Sequence, residues 1–324
     1  MSDPPRAIAG GLTEHADAGP WIVWGRLPDF FPARKLITAL FHSSPSIHLT
    51  TTNLTTPPIP PESVSHAFRV TAVQTDLTSP EAVTSLLAHH SFFNAIYLLH
   101  GIVSGGAEAN LDLGMRVNLD SHRFVLNALH QETSPHRGTV VVFPSSLAIY
   151  GPAAPGQTLL GDYSRRGLLD GRIVRLPTII VRPRAPGVAA SSFASGIVRE
   201  SLKGEENVLL VRPELAMWVC SPKTVVGNLV AVKDIHRNHF GLSRVVNLLG
   251  VTVTVADILD ALEAVGGKGA LNLVREERNP QVEAIVESWP AFFDVSKALS
   301  LGLAQDGDLV TTIKDFATRL KAGL

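Results

Sequence analysis

Three tyrosines, twelve histidines and one cysteine are the side chains of this 324-residue chain with the most chemistry to offer. A tyrosine becomes a usable acid or base near neutral pH when a lysine lies one helical turn later, because the ammonium stabilises the phenolate. Here Tyr97, Tyr150 and Tyr163 are followed four residues on by Gly101, Ala154 and Gly167. The chain therefore contains no Tyr-x-x-x-Lys. Ser146 has the position of a strand-end serine, suited either to hold a substrate hydroxyl or to cap its own turn. No Gly-x-Ser-x-Gly elbow occurs, which removes support for a hydrolase of that design. His89-His90 and His236-x-x-His239 lack a third ligand at metal-binding spacing, so no metal site is expected. Neither Gly-x-Gly-x-x-Gly nor Gly-x-x-Gly-x-x-Gly occurs, and those glycines are what lets a backbone approach a pyrophosphate. Cys220, the lone cysteine, excludes an internal disulfide and reads as a small buried hydrophobe.

The elements that would position these groups follow from the hydrophobic pattern. Trp21–Trp24, Ser46–Thr51, Phe68–Val73, Ala95–His100, Thr139–Phe143, Arg172–Val181 and Val245–Leu248 read as strands. Ala95–His100 is a continuous apolar run of the kind found in buried parallel strands. Helical patterns lie between them at Ala33–Phe41, Pro80–His89 and Leu111–Gln131, and another spans Val255–Val265. Residues 52–66 hold four prolines with several Ser and Thr and read as a loop. Alternating strands and helices with short links predict an α/β protein, a Rossmann-like doubly wound parallel sheet with a smaller C-terminal substrate lobe. The expected division is a flexible N-terminal arm over 1–20, a nucleotide-binding core over 21–182, and mainly a small lobe over 183–324 with a core strand returning near 245–248.

Hydrophobic residues make up 45% of the chain and charged residues 18%, enough for a sizeable core. A formal net charge of -1 argues against nucleic acid as a partner. No apolar stretch approaches the roughly 20 residues that span a bilayer, so no membrane partner is expected. Residues 1–20 carry no signal-peptide core, and with a single cysteine this reads as a cytoplasmic protein.

Several blocks resemble the extended short-chain dehydrogenase/reductase family, the NAD-dependent epimerases and dehydratases, and in particular its sugar-acid dehydrogenases. They are VSGGAEANLDLGMRVNLD (Val103–Asp120), SSLAIYG (Ser145–Gly151), DYSRRGLLDG (Asp162–Gly171), RLPTIIVRP (Arg175–Pro183) and ESWPAFFDVSKALSLG (Glu287–Gly302). The match runs from about residue 68 to the end. The resemblance implies NAD bound at the carboxyl ends of the strands, with its pyrophosphate over a helix N-terminus. It also implies a Tyr and Lys that exchange a proton with the substrate hydroxyl, and a Ser that orders the substrate. Ser146 matches that Ser. Ser104 and Glu108 fall in the substrate-side loop Val103–Glu108.

The chain departs from the family at four places. Gly25–Leu36 (GRLPDFFPARKL) occupies the phosphate loop, with Arg26, Asp29 and Pro32 at the glycine positions; in a slipped register Gly25 alone remains as a contact. Asp29 would repel phosphate and Pro32 removes a backbone N–H. The ribose-binding acid is replaced by Thr51 or Thr52. Asp76 matches the acidic position that meets adenine, and is as readily a loop aspartate. Between SSLAIYG and DYSRRG, where the family carries roughly two dozen residues including Tyr and Lys, this chain has only a short link, so the first turns of the catalytic helix are missing. Tyr163 reads as a remnant of that helix. Last, in Glu214–Lys223 (ELAMWVCSPK) Ala216-Met217 and Val219, on either side of Trp218, stand where the resemblance implies cationic and hydrogen-bonding residues, so Met217, Trp218 and Val219 are expected to form an apolar wall.

These departures predict a family member without ordinary NAD redox activity, acting as a redox-inert isomerase or cyclase or as a small-metabolite binder. No cofactor is expected to bind tightly, NAD or NADP if any. The alternative is an NAD(P)-dependent oxidoreductase or epimerase of sugar acids whose missing motifs reflect a misread gene. The partner expected is a small-molecule ligand. A homodimer stays open, because the shortened helix is one through which relatives pair.

Overall fold

The computed structural model describes residues 20–24, 31–44, 46–102, 109–131, 134–136, 138–146, 159–182, 189–241 and 243–321. Its strands are β1 (Pro20–Trp24), β2 (His48–Asn53), β3 (Val70–Gln74), β4 (Ala95–Leu98), β5 (Val140–Ser146), β6 (Asp170–Leu176), β7 (Thr178–Ile179), β8 (Asn207–Leu209), β9 (Ala216–Cys220), β10 (Val245–Asn247), β11 (Val251–Thr254) and β12 (Val274–Glu276). Seven of them form one parallel sheet in the order β10-β6-β5-β4-β1-β2-β3. The chain starts in the middle, winds out to β3, returns across β1 to β4, and winds the other way. Where the direction reverses, between β1 and β4, the carboxyl ends of the strands open a crevice.

Both faces of the sheet are covered, and the sequence of β4 shows how. Ala95, Tyr97 and Leu99 enter one apolar cluster, while Ile96 and Leu98 enter another. This is the period-two alternation of a strand buried on both sides. On the first face lies α1 (Phe31–Ser43), with Leu36, Ile37, Leu40 and Phe41 buried. On the second lie α2 (Pro80–Leu87), through Val83, Leu86 and Leu87, and a long helix that buries Val125, Leu126 and Leu129. That long helix is composite: α3 (Leu111–Met115), a π-helical turn (Arg116–Asp120) and α4 (Ser121–His130). The sheet side is completed by α5 (Leu159–Arg165), which packs on β6. All seven residues of β6 are buried, and Gly171 has no room for a side chain because Leu160 of α5 lies where a Cβ would be.

The lobe is built from α6 (Phe193–Lys203), the antiparallel pair β9–β11 with β7 alongside β9, the parallel pair β8–β12, and the helices α8 (Val255–Leu271), α9 (Pro280–Glu287) and α11 (Leu309–Lys321). Two helices belong to the sheet rather than the lobe: α7 (Pro222–Asp234) packs against α1, and α10 (Ser296–Ser300) against β10. A capping box starts α8, with Thr254 and Asp257 each bonding the other's backbone N–H.

Three details differ from the pattern-based expectation. β2 continues through Asn53, and a 3-10 helix over Pro61–Arg69 takes the end of the expected 52–66 loop and the start of the strand expected over Phe68–Val73. Pro61 supplies the helix-compatible φ at its start, while His66 and Arg69 pack on the Phe41 ring of α1. The run expected as one strand over Arg172–Val181 is split, because Pro177 has no N–H to continue the ladder. The long helix carries a π turn that no local pattern announces. Among the described residues no helix is long and apolar enough to cross a membrane.

Candidate functional site

The crevice floor is made where β4 and β5 end. Extending the β4–β5 register places His100 level with Ser145, one residue before Ser146, the exposed last residue of β5. The segment after β4 is tied to the composite helix by two residues at its π turn. Asn118 accepts the Ile102 N–H at 2.7 Å and donates to the Ile102 carbonyl at 2.9 Å, imitating a strand partner. Ser121 meets His100 Nε2 at 2.7 Å. Because the Ser121 hydroxyl already donates to the Val117 carbonyl, also at 2.7 Å, it accepts from His100, which fixes the Nε2–H tautomer. Asn118 and Ser121, three residues apart, fall on the same side of the helix.

His122 stacks on His100 with ring centroids 4.0 Å apart and meets Phe143 of β5 edge-on. Burial, with a smaller contribution from His122, pushes His100 well below the usual imidazole range. Burial likewise lowers His122 to about 4. Both rings are neutral near pH 7, and His100 Nδ1 and His122 Nε2 are buried nitrogens without a hydrogen-bond partner. The resemblance drew attention to Ser104, Glu108 and Ser146 and passed over this pair, whose members are twenty-two residues apart and carry no joint pattern.

The described tyrosines are engaged in packing. Tyr97 is fully buried and donates to the Leu229 carbonyl at 3.3 Å; burial and then Asp234 push its hydroxyl well above the ordinary value. Tyr163 donates to Asn127 of α4 at 2.5 Å and lies against the His130 ring. It ties α5 to α4. Tyr150 lies outside the described residues, as do Ser104, Glu108 and Gly25.

The positions that would hold a dinucleotide do not reproduce the family's donors. At the end of β2, Thr51 and Thr52 are buried and Thr52 Oγ1 has no partner, so there is neither a carboxylate nor an exposed hydroxyl for a ribose. Asp76 Oδ1 accepts from both the backbone N–H and the hydroxyl of Thr78, at 2.9 and 2.7 Å, which makes it a local turn former. Pro32 lies in the first turn of α1, where the pyrophosphate would need backbone donors. NAD therefore finds a poor match at these points.

On the lobe side, β9 alternates. Met217 is 3% exposed and Val219 1%, and both belong to the lobe's apolar core. Trp218, on the other face, is half-buried, lies 5.7 Å from the Phe293 ring and donates its indole N–H to the Leu248 carbonyl at 3.4 Å. Of the residues expected as an apolar wall, Trp218 is therefore the one outside that core. Cys220 is fully buried, and burial followed by Asp306 pushes its thiol far up, so it is no nucleophile. Among the described residues no group of three or more His, Cys, Asp and Glu could hold a metal ion.

The parallel sheet with its reversal between β1 and β4 and the serine at the end of β5 define a Rossmann-type scaffold. The chain belongs to the extended short-chain dehydrogenase/reductase family of NAD-dependent epimerases and dehydratases. It is 40% identical over 269 residues to D-erythronate dehydrogenase of Cupriavidus necator, covering 76% of this chain and 82% of the relative. To D-erythronate dehydrogenase of Haemophilus influenzae it is 35% identical over 269 residues, covering 76% and 84%. The solved nucleoside-diphosphate-sugar epimerase of Agrobacterium tumefaciens superposes with a TM-score of 0.85 at 29% identity, over 95% of this chain and 96% of that one. No family model matches the chain.

Proposed function

We propose that this chain keeps the ligand cleft of its family and lacks ordinary NAD-dependent redox activity, acting as a redox-inert isomerase or cyclase or as a small-metabolite binder. The observation that carries this reading is the absence of any Tyr-x-x-x-Lys from the 324 residues. Tyr97 and Tyr163, engaged with Leu229 and Asn127, offer no substitute. A positioned acid–base group contributes about 10²–10⁴-fold to rate, so hydride transfer without it would be crippled. The mismatched positions Thr51, Thr52, Asp76 and Pro32 support weak binding of NAD or NADP. Ser146 remains to bond a ligand hydroxyl and Trp218 to offer an apolar surface. A cytoplasmic location and a small-molecule partner belong to the same reading.

The test is turnover. Purified protein is given NAD or NADP with D-erythronate and related sugar acids, and reduced nicotinamide is followed by absorbance. No turnover is expected; robust turnover would overturn the reading. One observation favours a second reading, in which the chain is an NAD(P)-dependent oxidoreductase of sugar acids. The link between Gly151 and Asp162 is far shorter than the resemblance implies, and it falls on the catalytic pair. Sequencing the transcript separates the two: an encoded Tyr-x-x-x-Lys in that stretch supports the second.

A further inference from the structure

Away from the cleft, at the amino ends of β6 and β10, three cations gather round one ring. Arg172 is the third residue of β6, Arg244 comes just before β10, and Lys297 is the second residue of α10. The Cζ atoms of Arg172 and Arg244 and the Nζ of Lys297 lie 5.0, 5.9 and 5.9 Å from the centre of the Phe240 ring. β6 and β10 run parallel, with Val245 opposite Ile173, so this is the end of the sheet opposite the cleft. Phe240, 2% exposed, closes a short 3-10 helix over Arg237–Phe240.

The protein supplies too little negative charge at this place. Asp170, the first residue of β6, lies 3.0 Å from Arg172 Nη2 and 3.6 Å from Arg244 Nη1, so two guanidinium groups share one carboxylate. Asp234, the other acid that acts on Arg172, is paired with Lys233. Lys297 has no carboxylate partner among the described residues and donates to the Ser243 carbonyl at 2.5 Å. Arg244 gives Nη1 to the Arg237 carbonyl at 2.8 Å, which leaves its Nε–Nη2 edge without a hydrogen bond to the described residues. Arg172 is 2% exposed and gives Nη2 to the Ile235 carbonyl at 2.6 Å, while its Nε and Nη1 are buried without a partner. A phenyl ring has two faces for three cations, and a ring face attracts a cation less than a carboxylate does. Burial pulls Arg172 and Lys297 below their ordinary values; Arg244 pulls both the same way, and Asp170 offsets part of the shift at Arg172.

We infer that Arg244 and Lys297, backed by the buried Arg172, form an anion site at the amino end of the sheet, for inorganic phosphate or the phosphate group of a small metabolite. The open edge of Arg244 suits two oxygens of one anion, and the Lys297 ammonium reaches a third as a point charge. Three cations against one shared carboxylate leave a surplus of two positive charges. A phosphate group, at about −1.5 to −2 near neutral pH, matches that surplus, whereas a carboxylate meets only half of it. Both side chains that would touch the anion are partly exposed, so it can arrive from solvent, while the buried guanidinium behind them adds charge without contact. The site is separate from the cleft and does not depend on whether the protein turns over NAD.

The experiment is calorimetric titration of the full chain, at constant ionic strength, with inorganic phosphate, with glycerol 3-phosphate, and with glycerol as an uncharged control. Arg244→Gln, Lys297→Gln and Lys297→Arg are titrated in parallel. At least one of the two phosphates should bind the wild type and glycerol should not. Binding of glycerol 3-phosphate identifies the source as a phosphorylated metabolite; binding of inorganic phosphate alone identifies the free ion. Arg244→Gln and Lys297→Gln should each weaken binding about tenfold or more, while Lys297→Arg, which keeps the charge, should stay closer to the wild type. The amide of Lys297→Gln can still donate to the Ser243 carbonyl, so that variant should unfold near the wild-type temperature; should Arg244→Gln not fold, Lys297→Gln carries the test. No binding of either phosphate at millimolar concentration overturns the inference. Equal affinity in the wild type and the glutamine variants overturns it too, because the anion would then lie elsewhere on the molecule.

Discussion

His122 shows how a single side chain couples the cleft to the conditions around it. Its ring is 8% exposed, stacked on His100 and faced by Phe143, and burial lowers its pKa to about 4. His100, His90 and His136 are lowered too, in each case chiefly by burial. A depressed pKa in the folded state means that the unfolded chain binds more protons between that value and about 6.5. Stability from these residues is therefore complete above about pH 6.5 and falls as pH drops toward about 4. His122 alone accounts for about 3 kcal/mol across that window. Urea unfolding measured from about pH 7 to about pH 4 should show this decline, and His122→Phe, which keeps a ring against both neighbours, should flatten it. An unchanged slope in that variant would place the pH dependence elsewhere. Histidines scattered through the sequence gave no sign of this behaviour; burial decided it.

At the scale of elements, close approach of backbone explains residues that composition alone does not. β9 and β11 pair antiparallel, and Gly250, just before β11, faces the Val219 carbonyl and the Trp218 indole nitrogen at 2.6 and 2.8 Å from where a Cβ would stand. Gly250→Ala should therefore push β9 aside and cost about 1–3 kcal/mol, read as a lowered Tm. A wild-type Tm would show that the pair can shift freely. The strands of the central sheet were legible because buried parallel strands are apolar runs, as in Ala95–Leu98. The short strands of the lobe were largely not, since β8 and β12 have three residues each and take their conformation from what they pair with. The π turn at Arg116–Asp120 is a similar case: it is held by Asn118 on Ile102 and Ser121 on His100, contacts sixteen and twenty-one residues away.

For the molecule as a whole, the dinucleotide cleft is the feature on which form and chemistry part. The sheet order around β1 and β4 is that of a nucleotide-binding scaffold, yet Thr51 and Thr52 near the end of β2 are buried and Pro32 is the second residue of α1. NAD and NADP should accordingly bind weakly in calorimetric titration, and a dissociation constant in the low micromolar range would contradict this. The sequence by itself determined the ancestry, the α/β class, the strand-end position of Ser146 and the absence of Tyr-x-x-x-Lys, because these reside in local runs and spacings. Only the tertiary structure decided which of those residues are available to a ligand. Met217 and Val219 go to the lobe core because side chains alternate along a strand whose one face is covered. Tyr97 and Tyr163 are consumed by packing. Charge balance and burial depend on neighbours far apart in the chain, and spacing along a single sequence carries no record of them.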